Sequence, residues 1–360
     1  MLTVKKTRAL TLAALLSTSG VGIAASAAAE NLATPRTVVP CGDVDELIRQ
    51  INNANTIGVG SITLSAGCSY KITSPAVAGG PYGADGLPVI TANVTISADS
   101  ATITRTATTA FRIAEVAPQG SLTLNGITVS GGSATADPGT VGGGILARGR
   151  LTLSNSRVTG NTAAGTGGGI EVAPGGSADL SGGVVTLNTA SDGGGVHVDN
   201  SGRLTVSSAS VNGNTATFTG GGVATNGTTV LNNTTVHGNR TDTFEGGGIY
   251  TATGPLTVNG GTVDGNTAAS YGGGIANFGS TVLLQGASLY RNTAALDGGG
   301  LYNQVGSAQL IAGEVTGNGA GGHGGGIFRA GGSVAVTGTT VTGNTPGNCA
   351  PAGSIPGCPQ

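Results

Sequence analysis

The triplet Gly-Gly-Gly followed by an aliphatic residue occurs eight times, starting at Gly142, Gly167, Gly193, Gly220, Gly246, Gly272, Gly298 and Gly324. Successive starts lie 25, 26, 27, 26, 26, 26 and 26 residues apart. The aliphatic positions are Ile145, Ile170, Val196, Val223, Ile249, Ile275, Leu301 and Ile327. A period held this closely over seven intervals means stacked repeats, in which each unit buries its apolar face only against its neighbours.

A second column keeps step with the first: Asn161, Asn188, Asn214, Asn239, Asn266, Asn292, Asn318 and Asn344. Three residues before each Asn stands an aliphatic residue, as in Val158, Val263 or Leu289. Between the columns run short alternating segments such as Leu151-Thr-Leu153 and Val334-Ala-Val336. Alternation of period 2 makes these strands. No unit holds a helical stretch, which excludes ankyrin-like and leucine-rich arrays. About three strands per 26 residues predict an all-β coil, a single-stranded parallel β-helix. In it each strand pairs with its equivalent one repeat later. The glycines suit a corner that needs left-handed backbone. The Asn residues suit turns and, stacked about 4.8 Å apart, a buried amide ladder.

The ends depart from the period. Residues 142–345 are the regular repeats and 84–141 read as irregular early rungs, with strand-like runs at Val94–Ile96, Phe111–Ile113 and Leu122–Leu124. In 30–83, Asp43-Val-Asp-Glu46 is an N-cap pattern that opens an amphipathic stretch at Val44, Leu47, Ile48 and Ile51. It predicts a short capping helix over the first open edge. The segment 346–360 covers the other end.

Residues 1–29 have the layout of a secretory signal peptide. Lys5, Lys6 and Arg8 precede apolar Ala9–Leu16, and Ala27-Ala28-Ala29 offers a cleavage site. Ser17 to Gly20 break the apolar run, so a membrane anchor is not expected. Removal of this segment leaves 12 Lys+Arg against 17 Asp+Glu. That balance excludes a nucleic-acid partner, which needs a basic stripe, and a basic membrane-binding helix. In an exported chain Cys41, Cys68, Cys349 and Cys358 read as disulfides, with proximity favouring Cys41–Cys68 and Cys349–Cys358. Cys41–Cys68 would staple the helical cap to the strand Ile62–Leu64.

The paired motifs Gly272-Gly-Gly-Ile275 and Val263-Asp-Gly-Asn266 resemble the polymorphic outer-membrane-protein type of repeat. That repeat belongs with right-handed parallel β-helix proteins of the pectate-lyase-like superfamily. The resemblance covers 142–345 well and 84–141 loosely. It implies right-handed coiling, export, and either surface adhesion or action on polysaccharide. Autotransported relatives carry a C-terminal membrane barrel. This sequence ends in a cysteine loop without membrane strands, so stable membrane insertion is not expected and release is the simpler expectation.

Two columns carry the chemistry that the repeat does not require. The residue before each triplet gives Glu245, Tyr271, Asp297 and His323 on four consecutive rungs. Asp297 and His323 form a candidate acid/base pair, or the column is a solvated polar corner. The residue after each aliphatic should point outward and includes Tyr250, Tyr302 and Phe328. Exposed rings along a ridge suit stacking on sugars, or are scattered surface apolar residues. His197, His237 and His323 occupy different places in their repeats, so neither a metal site nor a cofactor is expected. Because no Arg or Lys joins an acidic cluster in these columns, the expected function is non-enzymatic. It is structural, adhesive or glycan-binding, with an extracellular glycan or a cell-surface protein as partner. The alternative is a polysaccharide lyase or hydrolase.

Overall fold

Each rung closes because its aliphatic residues all face one axis. In the computed structural model, which describes residues 38–135 and 140–359, the rung after Gly142 is representative. Ile145–Ala147, Arg150–Ser154, Arg157–Thr159 and Thr162–Ala163 are its four short strands. Ile145, Ala147, Leu151, Leu153 and Val158 point inward and are fully buried or nearly so. In the regular rungs each strand pairs in parallel with its counterpart about 26 residues on, for example Ile170↔Val196 and Val263↔Leu289, while the early rungs take longer turns, as in Val59↔Asn93 and Ala114↔Ile145. The strands assemble, among the described residues, into sheets of 21, 10 and 8 strands, the largest taking two strands from each regular rung. The result is a parallel β-solenoid of about 12 turns, a stack of roughly 50 Å at one strand spacing per turn. The signal-like segment 1–29 lies outside the described residues.

Three different constraints explain the three glycines. The first of every triplet has φ between 58° and 70°. A Cβ on Gly167 would stand 2.6 Å from the Ile170 carbonyl oxygen, and one on Gly272 would meet the Ala276 methyl at 2.7 Å. The second lies against the next rung, where a Cβ on Gly168 would be 2.5 Å from the Gly194 oxygen. The third backs onto the Asn column: a Cβ on Gly169 would be 3.0 Å from the Asn188 amide nitrogen.

The Asn column forms the expected ladder. Asn188 donates from Nδ2 to Asn214 Oδ1 at 3.0 Å and to the Val158 carbonyl, and accepts from Asn161 Nδ2 at 2.9 Å. The same pattern runs to Asn344, whose Nδ2 donates to Asn348 Oδ1 at 3.1 Å. A second internal polar run was not foreseen. The inward third residue of the triplet strand is Ala147, Val172 and Val198 in early rungs, then Thr225, Thr251, Asn277 and Asn303, all fully buried. Asn277 Nδ2 donates to Asn303 Oδ1 at 2.7 Å and to the Ser280 carbonyl. These residues satisfy the turn carbonyls that the aliphatics leave to the backbone.

Helix α1 spans Val44–Ile57, six residues beyond the expected amphipathic stretch, and ends at left-handed Gly58. Asp43 accepts from the Glu46 amide at 2.9 Å. The Glu46 carboxylate turns to Arg49 and Gln50, so the capping box is half made. Leu47, Ile51 and Ala54 seal the first rungs. Both disulfides, Cys41–Cys68 and Cys349–Cys358, are formed. The first holds the helix start to the turn before Ser69–Ile72 rather than to Ile62–Leu64. Parallel pairing already joins Val59–Leu64 to Asn93–Ser97. Of the early runs, Val94–Ile96 and Leu122–Leu124 lie in strands. Phe111–Ile113 instead leads into the strand Ala114–Val116. At the far end Cys349–Ala350 pairs with Ile327–Phe328, and Ile355 is buried.

Candidate functional site

The left-handed first glycine folds the residue before each triplet back over the residue five positions later. Thr166 Oγ1 therefore donates to Glu171 Oε2 at 2.7 Å. The two sequence columns thus face each other along one side of the solenoid. This corrects the expected exposure of the second column. Glu171 is 3 % exposed, His197 7 % and Tyr302 6 %, while Tyr250 and Phe328 are half-buried. The apposed column shields them.

At the C-terminal part of this face the rings meet. Tyr271 stacks on Tyr302 with centroids 4.6 Å apart. Phe278 bridges Tyr250 at 5.4 Å and Tyr302 at 5.8 Å, and Tyr302 lies parallel to Phe328 at 5.6 Å. His323 Nδ1 is 3.2 Å from Asp297 Oδ1, which also accepts the His323 amide. The candidates Tyr271, Asp297 and His323, and Tyr250, Tyr302 and Phe328, are therefore one connected wall. Glu245 sits in the same column next to Tyr271. Burial pushes the Glu245 carboxyl and the Tyr250 and Tyr302 phenols up. Phe278 escaped the sequence reading because its position holds Ala252 and Gln304 in adjacent rungs. Only contact with Tyr250 and Tyr302 distinguishes it.

In the middle, His197 Nδ1 lies 3.0 and 3.1 Å from the two Glu171 oxygens. Burial works against the imidazolium, but the Glu171 hydrogen bond and charge, with Asp199 and Asp192, outweigh it and hold His197 above its ordinary range. Asp192 accepts from Thr219 Oγ1 at 2.6 Å and from Ser191 Oγ at 2.9 Å.

At the N-terminal part an acid–base cluster stands where none was expected. Arg112 Nη1 is 3.1 Å from Asp85 and 3.4 Å from Glu115, and Arg148 Nη1 is 2.8 Å from Glu115. Arg148 lies over the Tyr82 ring, and Arg112 donates to the Tyr82 carbonyl. Glu115 pairs with Leu146, and Leu146 with Glu171, so the cluster continues the same column. It was invisible because rungs without triplets cannot be aligned by spacing. Burial raises Asp85 to about 7 against the pull of Arg112. Arg112 and Asp85 are both 1 % exposed; the Arg112 Nη1 and Nη2 groups hold the loop 77–86 in place through Asp85 and the Tyr82 carbonyl, and Arg112 Nε is buried without a partner.

No group of His, Cys, Asp and Glu among the described residues could hold a metal ion. Compared with protein-family models, curated proteins and solved structures, the chain matches none.

Proposed function

We propose that the protein is an exported, non-enzymatic β-solenoid that binds extracellular glycan along the face of the triplet strands. One observation carries this reading: the continuous wall of Tyr250, Tyr271, Phe278, Tyr302 and Phe328, with the carboxylates Glu245 and Asp297 set beside it. The half-buried rings of Tyr250, Tyr271, Phe278 and Phe328 can meet the apolar face of a sugar, with Tyr302 buried behind them, and carboxylates accept strong hydrogen bonds from its hydroxyls. The wall spans several rungs, the reach of an oligosaccharide. The leader-like residues 1–29 and the two disulfides support an oxidising destination. No helix among the described residues is long and apolar enough to cross a membrane. The pectate-lyase-like superfamily with polymorphic outer-membrane-protein repeats remains the proposed kinship, supported by the motif pair and the parallel solenoid.

Polysaccharide cleavage has less support. The cluster with a lyase-like composition, Asp85, Arg112, Glu115 and Arg148, is ion-paired and lies under a loop. Calorimetric titration of the exported protein with neutral and acidic polysaccharides tests the reading. Tyr250→Ala and Phe328→Ala should each weaken binding about tenfold, roughly the worth of one stacked ring, with unchanged melting. Absence of binding to every glycan, or binding by both variants as tight as the parent's, overturns it. New reducing ends or unsaturated products would establish the enzyme instead. Export predicts a mature N-terminus at Glu30.

A further inference from the structure

The outward column runs His197, Ala224, Tyr250 on consecutive rungs. The Ala224 methyl leaves a gap between two large side chains standing two rungs, about 9.6 Å, apart. The same gap recurs at Ala276, between Tyr250 and Tyr302, but there Tyr271 and Phe278 fill it. At Ala224 the corresponding residues are Thr219 and Asn226, which are too small to do so. What remains is a cavity of about 350 Å³ lined by Asp192, His197, Thr219, Ala224, Asn226 and Tyr250. That lies at the small end of ligand pockets, roughly 300–1,000 Å³, with room for one sugar ring rather than a chain.

Its polar groups are poised but unspent. Glu171 holds His197 through Nδ1, and Nε2 has no partner although the ring is 7 % exposed. Asp192 Oδ1 accepts from the Thr219 amide and hydroxyl, whereas Oδ2 accepts only from Ser191 Oγ and keeps acceptor capacity. The Asn226 amide, which makes no side-chain hydrogen bond, adds a donor and an acceptor. Glu171, Asp192 and Asp199 outnumber the one imidazole, and neither of the two facing columns supplies a Lys or Arg from Thr166 to Phe328. A carboxylate-bearing sugar would meet uncompensated like charge at close range.

We infer that this cavity is the specificity-determining subsite of the glycan face and takes a single neutral pyranose, rejecting uronic acids. The ring lies against Tyr250, and its hydroxyls bridge the Asp192 carboxylate and the His197 Nε2. The inference rests on the proposed glycan binding, and the two can fail separately.

The test uses the full chain, titrated calorimetrically with methyl glycosides of neutral hexoses and of the matching uronic acids, and with a neutral polysaccharide. At least one neutral glycoside should bind one to one, and its uronate at least tenfold more weakly. Asn226→Phe, which copies the filling residue Phe278, should abolish glycoside binding and leave polysaccharide binding detectable. Ala224→Leu fills the cavity from its floor and should do the same. Phe328→Ala should weaken the polysaccharide and spare the glycoside. If either filled variant, folded by circular dichroism, binds glycosides as the parent does, or if uronates bind equally well, the inference is wrong while the glycan reading stands. If the parent binds neither glycoside nor polysaccharide, both fall.

Discussion

Replacing Asn266 by Leu tests whether the amide ladder stabilises the stack or merely occupies it. The side chain donates to Asn292 Oδ1 and to the Val236 carbonyl, both at 2.9 Å. Its Oδ1 accepts from the Asn239 amide at 2.9 Å and from Asn239 Nδ2 at 3.0 Å. Leu keeps the volume and removes all four bonds. Asn239 Nδ2 retains the Val211 carbonyl, and Asn292 Oδ1 retains the Asn266 backbone amide. The Asn239 N–H and the Val236 carbonyl are left without the partners they had. Losing those partners costs about 1–3 kcal/mol at each of the two groups, and the gain from burying Leu offsets about 1 kcal/mol, so the net is about 1–5 kcal/mol. For a domain of this size that is a fall of roughly 2–8 °C in Tm. Asn344→Leu, at the partly solvated end of the ladder, should cost less. Thr257→Ala, on the outer side of its strand, should cost almost nothing. Thermal melts followed by both far-UV circular dichroism and calorimetry read all three. Equal Tm values for N266L, N344L and T257A would refute a ladder that stabilises through buried amides.

Gly272→Ala should destabilise by more than about 2 kcal/mol, because its Cβ would meet the Ile275 oxygen at 2.6 Å as well as the Ala276 methyl. Gly286→Ala, also at positive φ but with open space around it, should lose only about 1 kcal/mol, and equal losses in denaturant melts would count against the close-approach argument. Asp43→Ala should cost about 1 kcal/mol through the lost N-cap. Reducing Cys41–Cys68, whose loop spans 27 residues, should cost roughly 3–4 kcal/mol and expose a strand edge that associates; a reduced protein that elutes as the same monomer from a sizing column contradicts this. Asp85 and His197 are both raised, so at these two sites the folded protein holds protons that the unfolded chain releases, and their contribution to stability is present at low pH and is lost as pH rises through the folded-state values. Tm should therefore fall between about pH 4 and about pH 7 as Asp85 titrates, with His197 adding to the fall from about pH 6.5 upward; His197→Gln should remove that upper part, and a profile rising through this range would contradict the assignment.

What the sequence alone determines is the repeat. A parallel stack keeps register only if each turn consumes the same number of residues, so Ile170, Val196 and Val223 announce their column by spacing, and Asn161 to Asn344 theirs. The cysteine pairs and the N-cap at Asp43 are local and equally legible. The columns also named Glu245, Tyr271, Asp297 and His323, and Tyr250, Tyr302 and Phe328, as residues outside the structural repeat. Spacing could not show that the two columns face each other, because that depends on the left-handed glycine folding Thr166 over Glu171. Nor could it join Asp85 to Arg112, Glu115 and Arg148, which come from turns of unequal length. Phe278 and the Asn277–Asn303 pair are departures within single rungs, and the Ala224 cavity arises from side chains that are small only relative to their neighbours. Register along a solenoid is a property of chain length per turn, which a sequence carries explicitly. Contact across a corner depends on backbone direction and side-chain volume together, and only the folded stack brings those into one place.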